Sequence, residues 1–167
     1  MSREIERKFL LTTLPPFVRN ADFMLIEQGY IAISDERNEV RLRKANNQYT
    51  LTVKSDGKLV RQEYEIEISE KDFRKLWGST KGRRLTKKRY LYREGTYLFE
   101  IDEYLDTLAG LLVVEVEFNS EKEANLFSKP SWFGDEITQV NFMKNKNLLR
   151  FSSTEELLDR YKNQTFV

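Results

Sequence analysis

Neither cysteine nor histidine occurs among the 167 residues. The first absence excludes disulfides and thiolate metal sites, and the second removes any imidazole base or ligand. A metal held by this chain is held mainly by oxygen, which points to Mg²⁺ or Mn²⁺. Long apolar runs are missing as well. No stretch approaches the roughly 20 apolar residues of a membrane span, and the charged start of the chain carries no signal-like run. Nor is there an excess of one charge: 28 Lys and Arg against 27 Asp and Glu leave a formal net charge of +1. That balance gives neither a nucleic-acid footprint nor a general attraction to membrane surfaces. The length suits one domain over residues 1–167, long enough for a real core, and the simplest expectation is a cytoplasmic protein.

What the chain has in quantity is charge, a third of all residues, set out with the period of two that belongs to strands. In Glu4–Leu10, Glu4, Glu6 and Lys8 share one side, and Ile5 and Phe9 the other. Arg41 and Arg43 pair in Val40–Lys44, while Arg61, Glu63, Glu65 and Glu67 line one face of Arg61–Ile68. Glu100 stands beside Asp102 in Leu98–Tyr104, and Glu115 beside Glu117 in Val113–Phe118. The alternate positions carry Tyr64, Ile66 and Ile68, then Phe99 and Ile101, then Val114, Val116 and Phe118.

A solvated sheet explains one such strand, since charges face water and apolar residues a core. It does not explain like charges adjoining along each strand, where opposite charges are preferred as neighbours. Strands closed into a barrel turn these faces onto a channel. An unfilled channel of this kind is costly, because burying unpaired charge costs several kcal/mol per ion. Metal ions for the acids and a polyanion for the bases offset that cost.

The connections fit a strand-rich chain with few helices. Pro15-Pro16 marks a connector, and Ile26–Ile33 is a strand with Tyr30 on the parity of Gln28. Ala45-Asn46-Asn47 turns Val40–Lys44 into Gln48–Lys54, a hairpin with Arg41 and Arg43 on one arm and Lys54 on the other. Asp56-Gly57 makes the next turn. Ser69-Glu70-Lys71-Asp72 opens a helix to about Trp77 that covers the outside of the barrel. Leu85–Tyr92 and Tyr97–Leu105 form a hairpin with Lys87 and Arg89 on one arm and Glu100 and Asp102 on the other, while Arg83, Arg84 and Lys88 read as solvated or entrance charges. Ser120 caps a helix to about Phe127. A weak repeat relates Tyr64–Lys71 to Val114–Lys122, two strands that end in paired acids before a helix. Asn141–Leu149 and Glu155–Tyr161 read as helices that close one tunnel end or support a homodimer.

Glu4-Ile5-Glu6-Arg7-Lys8 matches the ExExK signature of the CYTH superfamily, the triphosphate tunnel metalloenzymes. The resemblance continues in order through Arg41-Leu42-Arg43, Leu51-Thr52-Val53-Lys54, Arg61-Gln62-Glu63-Tyr64-Glu65, Lys87-Lys88-Arg89, Glu100-Ile101-Asp102 and Glu115-Val116-Glu117. It implies an α+β, mainly β, fold: an eight-stranded antiparallel closed barrel whose tunnel takes a triphosphate and one or two divalent cations, with helices outside. The chain looks most like the short bacterial members that hydrolyse inorganic triphosphate. Adenylate cyclases of class IV, thiamine or nucleoside triphosphatases and RNA triphosphatases are relatives too, and fold alone does not choose among them. The family often has an aromatic where Met143 stands.

On this reading Lys8, Arg41, Arg43, Lys54, Lys87 and Arg89 bind the triphosphate, because guanidinium forks and ammonium groups suit phosphate. Glu4, Glu6, Glu115 and Glu117 hold a first cation. Glu63, Glu65, Glu100 or Asp102 stand near a second that orients and deprotonates water. Alternatively, Tyr30 and Lys54 form a pair that orients the water. A module that binds polyphosphate without turnover is the competing class, and Tyr90 or Tyr104 would stack on a base if the substrate were a nucleotide.

Overall fold

The computed structural model describes residues 2–34, 38–55 and 60–164. The alternating segments form eight strands: β1 (Ser2–Leu10), β2 (Met24–Ile33), β3 (Asn38–Ala45), β4 (Gln48–Ser55), β5 (Val60–Glu67), β6 (Arg84–Glu94), β7 (Tyr97–Tyr104) and β8 (Leu112–Glu117). They close into a barrel in the order β1-β5-β4-β3-β2-β6-β7-β8, with every neighbour antiparallel. Closure leaves no strand edge unpaired. The expected turn at Asp56-Gly57 lies outside the described residues.

The apolar parity faces outward and is covered over part of the barrel, while Leu25, Tyr64 and Ile66 stay exposed. Ile5, Phe9, Phe99, Ile101, Val114 and Val116 pack beneath the helix α2 (Glu121–Leu126) and the segment carrying Phe127 and Phe133, so the larger core lies outside the barrel wall. On another side, α1 (Glu70–Trp77) lays Phe73 against Tyr49 at 5.0 Å between ring centroids. Both helices start at a serine whose hydroxyl accepts a backbone N–H, Ser69 from Asp72 and Ser120 from Glu123, so the sequence repeat is a repeated strand-to-helix unit. Its two strands, β5 and β8, flank β1. Gly29 is needed where β2 passes under α1, since a Cβ there would lie 2.6 Å from Thr80 Oγ1.

A second core seals one end of the barrel. Tyr30, Tyr104, Leu85 and Val113 from the strands meet Ile137, Met143, Leu148, Phe151 and Leu157 from the C-terminal region. The helix expected over Asn141–Leu149 is broken. A 3₁₀ turn, Asn141–Met143, and a single turn α3 (Asn145–Leu148) are separated by Lys144 in extended backbone, at φ −67° and ψ 140°. A continuous helix could not cross the barrel mouth and keep both halves against it. Helix α4 (Thr154–Gln164) follows and buries Leu157. Among the described residues no helix is long and apolar enough to cross a membrane.

Candidate active site

The inward parity surrounds a cavity of about 500 Å³. Glu4, Glu6, Glu39, Glu63, Glu100, Glu115 and Glu117 line it, together with Lys8, Arg41, Arg43, Lys54, Lys87, Arg89 and Lys144. Among the described residues seven carboxylates thus face seven cations, and their formal charges balance.

The groups are not left repelling along their strands, because each strand's charges are answered by the next strand's. Register sets Lys8 opposite Glu115, and their side chains meet at 2.5 Å. Lys54 lies opposite Glu63 at 2.7 Å and also reaches Glu4 at 2.7 Å. Arg89 grips Asp102 with two hydrogen bonds of 2.7 Å, donates to Glu115 at 2.8 Å and bonds Glu100. Lys87 holds the same Asp102 at 2.5 Å. The cost expected for unfilled walls is therefore met largely by cross-strand pairing.

Two features stand outside this pairing. First, Arg41 is buried, yet its nearest carboxylates, Glu63 and Glu39, lie at 3.9 and 4.0 Å, and its Nε has no hydrogen-bond partner among the described residues. Burial works against its charge, but Tyr30, then Glu39, Glu63 and Glu4, outweigh that and keep its pKa above the ordinary arginine value. Arg43 next to it is pulled down by burial and by Arg41. A buried cation short of hydrogen bonds is a built-in anion acceptor. Second, register places Glu6 opposite Glu117 and Glu100 opposite Glu115. Burial and the neighbours Glu4, Glu100 and Glu6 raise the Glu117 carboxyl, and burial chiefly raises Glu100. Glu115 goes the other way: burial alone would raise it, but Lys8, Lys87 and Arg89 hold it well below the usual carboxylate range.

Clustered oxygen donors fit a hard divalent cation. Glu4, Glu6, Glu100 and Glu117 are such a set. Among the described residues no three carboxylates stand together as a metal-binding group.

Of the other sequence-predicted residues, Asp102 is completely buried under Lys87 and Arg89 and is not on the cavity lining. Glu65 also lies off the lining, accepting from Thr52 at 2.8 Å and Arg43 at 3.1 Å. Tyr30 is buried in the sealing core, and its hydroxyl accepts from Gln28 at 2.6 Å. The tyrosines suggested as base platforms do not line the cavity. Tyr90 packs outside with its hydroxyl on Glu103, and Tyr104 is enclosed in the sealing core beside Asn145. Arg84 stacks on Trp77 at 4.4 Å and Lys88 on Phe23 at 5.1 Å, so these charges serve the outer wall.

Sequence reasoning missed Gln28, Glu39, Thr138 and Lys144 as lining residues. Glu39 shares the parity of Arg41 one residue beyond the expected strand start, and Gln28 that of Tyr30. Thr138 and Lys144 come from irregular backbone, where no periodicity announces them.

Comparison with known proteins gives the same picture. An "Inorganic triphosphatase" of Nitrosomonas europaea is 44% identical over 146 residues, 87% of this chain and 95% of that protein. Another of Acetivibrio thermocellus is 32% identical over 152 residues, 90% and 95% of the two chains. A crystal structure of an inorganic triphosphatase superposes with a TM-score of 0.66 at 40% identity, covering 92% of this chain and 98% of that one. The CYTH domain model matches residues 2–151, the stretch that builds the barrel and most of its seal. By its ordered charged strands, its closed tunnel and these matches, the chain belongs to the CYTH domain family.

Proposed function

We propose that this protein is a hydrolase that converts inorganic triphosphate into pyrophosphate and orthophosphate inside the tunnel, with Mg²⁺ or Mn²⁺ as cofactor. The carrying observation is the wall of seven carboxylates and seven cations around one cavity. A triphosphate brings roughly four to five negative charges near neutral pH. A neutral wall of low dielectric cannot hold that load unless cations enter with it. The wall's own carboxylates fit those cations, and its guanidinium and ammonium groups fit the phosphates. Two relatives named inorganic triphosphatases support the same reading.

Lys8, Arg41, Arg43, Lys54, Lys87 and Arg89 bind the phosphoryl oxygens and neutralise charge that builds on them during transfer. Glu4, Glu6, Glu115 and Glu117 would hold a first cation, with Glu100 or Glu63 near a second. A bound divalent cation lowers the pKa of water and steadies phosphoryl charge. Water attacks the terminal phosphorus in line, a new P–O bond forms, the bridging P–O bond breaks, and pyrophosphate leaves. Glu63 accepts the proton of water, supported by its place on the lining and its contact with Lys54. Asp102 positions Lys87 and Arg89, and Glu65 positions Arg43; the alternative for orienting water is the pair Tyr30 and Lys54, with Tyr30 acting from behind the lining through Gln28.

Nucleotides suit this tunnel less. Phe118 is the one aromatic ring on the lining among the described residues, which leaves little for a base to stack on. The test is turnover of inorganic triphosphate, ATP and thiamine triphosphate with each metal. Fast release of orthophosphate from inorganic triphosphate alone is expected. Cyclic AMP from ATP, or tight metal-dependent binding without product, would replace this reading. Unchanged hydrolysis by Tyr30→Phe would remove Tyr30 from the mechanism.

A further inference from the structure

We infer that Glu39 is a positioning residue for phosphate binding. Together with Glu63 it holds the Arg41 guanidinium in the tunnel by charge, at a separation too long for hydrogen bonds, so that the N–H groups of Arg41 remain open to the substrate. This rests on the triphosphatase reading and adds a residue to that site.

Two buried arginines on the lining are used in opposite ways. Arg89 bonds Asp102, Glu115 and Glu100. Arg41 bonds no carboxylate: Nη1 lies 4.0 Å from Glu39 and Nη2 3.9 Å from Glu63, while Nε has no partner among the described residues. Hydrogen bonds from nitrogen to oxygen close at about 2.7–3.2 Å, so both contacts are ion pairs only. Buried donors are nearly always bonded, and a guanidinium left open marks the place of a ligand. Two pulls from different directions keep it open. Glu39 acts from the same strand, β3, and Glu63 from β5 on the far side of β4. Either carboxylate alone would draw the side chain into the paired contact that guanidinium and carboxylate prefer. Glu63 is restrained further by Lys54, at 2.7 Å.

The surroundings of Glu39 commit it to this task. It is 7% exposed and lies on the lining. Lys54 stands opposite on β4 but turns to Glu4 and Glu63, each at 2.7 Å. On β2 an extra residue between the pairs Tyr30–Arg41 and Ala32–Val40 brings Ile33 opposite Glu39, and Ile33 packs on the sealing core. An apolar neighbour on one side and an occupied lysine on the other leave Arg41 as its one cation within 4.0 Å among the described residues. A carboxylate buried with so little to hold it is costly, and facing a polyanion it is repulsive as well. Holding Arg41 offsets both.

The test is a double-mutant cycle on the full chain with Mg²⁺: Glu39→Gln, Arg41→Met and both together. It is read as triphosphate kinetics and, by calorimetry, as pyrophosphate binding. By charge alone, Glu39→Gln removes a repulsion and should tighten anion binding. With positioning lost, Arg41 closes onto Glu63 instead, so KM for triphosphate and Kd for pyrophosphate should each rise about tenfold. In the Arg41→Met background only the repulsion is left, and Glu39→Gln should leave binding unchanged or tighter. Unchanged or tighter binding in the single variant, an equal weakening in the Arg41→Met background, or failure of Glu39→Gln to fold would overturn the assignment. Coupled pyrophosphate binding without orthophosphate release from triphosphate would sink the functional reading and leave the positioning role standing. Turnover without the coupling would do the reverse, and binding of neither anion would overturn both.

Discussion

Arg41 and Asp102 show how differently two buried charges are used. Arg41 has carboxylates only at 3.9 and 4.0 Å and a bare Nε, while Asp102 is gripped by Arg89 and Lys87 at 2.5 to 2.7 Å. Replacing Arg41 with Met should raise KM for triphosphate about 10–100-fold, as expected for lost charged hydrogen bonds, and leave thermal stability nearly unchanged. A melting temperature that collapses with KM intact would reverse this assignment. Asp102→Asn should do the opposite first: Lys87 loses its counter-ion and Arg89 one of three, at a cost of about 3–5 kcal/mol in chemical denaturation. If Asp102→Asn is as stable as the parent and loses metal affinity instead, Asp102 is a ligand. Lys87 supplies a pH signature. Burial, and then the adjacent Arg89, bring its pKa down to about 8 despite Asp102. The folded state therefore releases this proton before the unfolded state does. Below pH 8 the charge is buried in full, and this group adds stability as pH rises from about 8 toward 10.5. Over the same range the tunnel loses a cation, so KM should climb above pH 8 by at most about tenfold per pH unit. Lys87→Met should flatten that limb in a pH series of initial rates. The identity of all three residues was legible in the sequence, because a period of two needs no contacts to be seen. Their pairing was not, since it joins different strands.

Among the elements, the β1–β8 and β7–β8 pairs carry an internal conflict, with Glu6 facing Glu117 and Glu100 facing Glu115. Like charges directly opposite weaken a sheet by about 0.2–1 kcal/mol. Glu117→Gln should therefore raise the melting temperature of chelated protein slightly while cutting metal-dependent turnover about a hundredfold or more. Melts with chelator and with Mg²⁺ check both halves, and a variant destabilised in chelator would contradict the repulsion. The sequence foretold these strands and the two serine-capped helices, because alternation and capping are local. It misjudged residues 141–149, where apolar positions suited a helix but the path over the barrel mouth required an extended Lys144.

For the whole molecule, seven acids and seven bases balance among the described lining residues, so on the proposed reading a polyanion enters the tunnel together with cations. Stripping divalent ions with a chelator should abolish triphosphate turnover, and adding back Mg²⁺ or Mn²⁺ should restore it. Full activity in chelator, measured as orthophosphate release, would break the charge argument. Barrel closure matters here, because an open sheet would let water screen the same charges and no countercharge would be needed.

The sequence by itself determined the strands, their two faces, the oxygen-only chemistry open to a metal and the match to a charged-tunnel family, since each depends on residue type and short spacing. Tertiary structure alone decided which acid meets which base, that Asp102 and Tyr30 sit behind the lining, and that Arg41 is left short of hydrogen-bond partners among the described residues. Those outcomes arise from register between strands and from a C-terminal segment that folds back onto β1 across more than a hundred residues of chain, and no local pattern encodes a contact made at that separation.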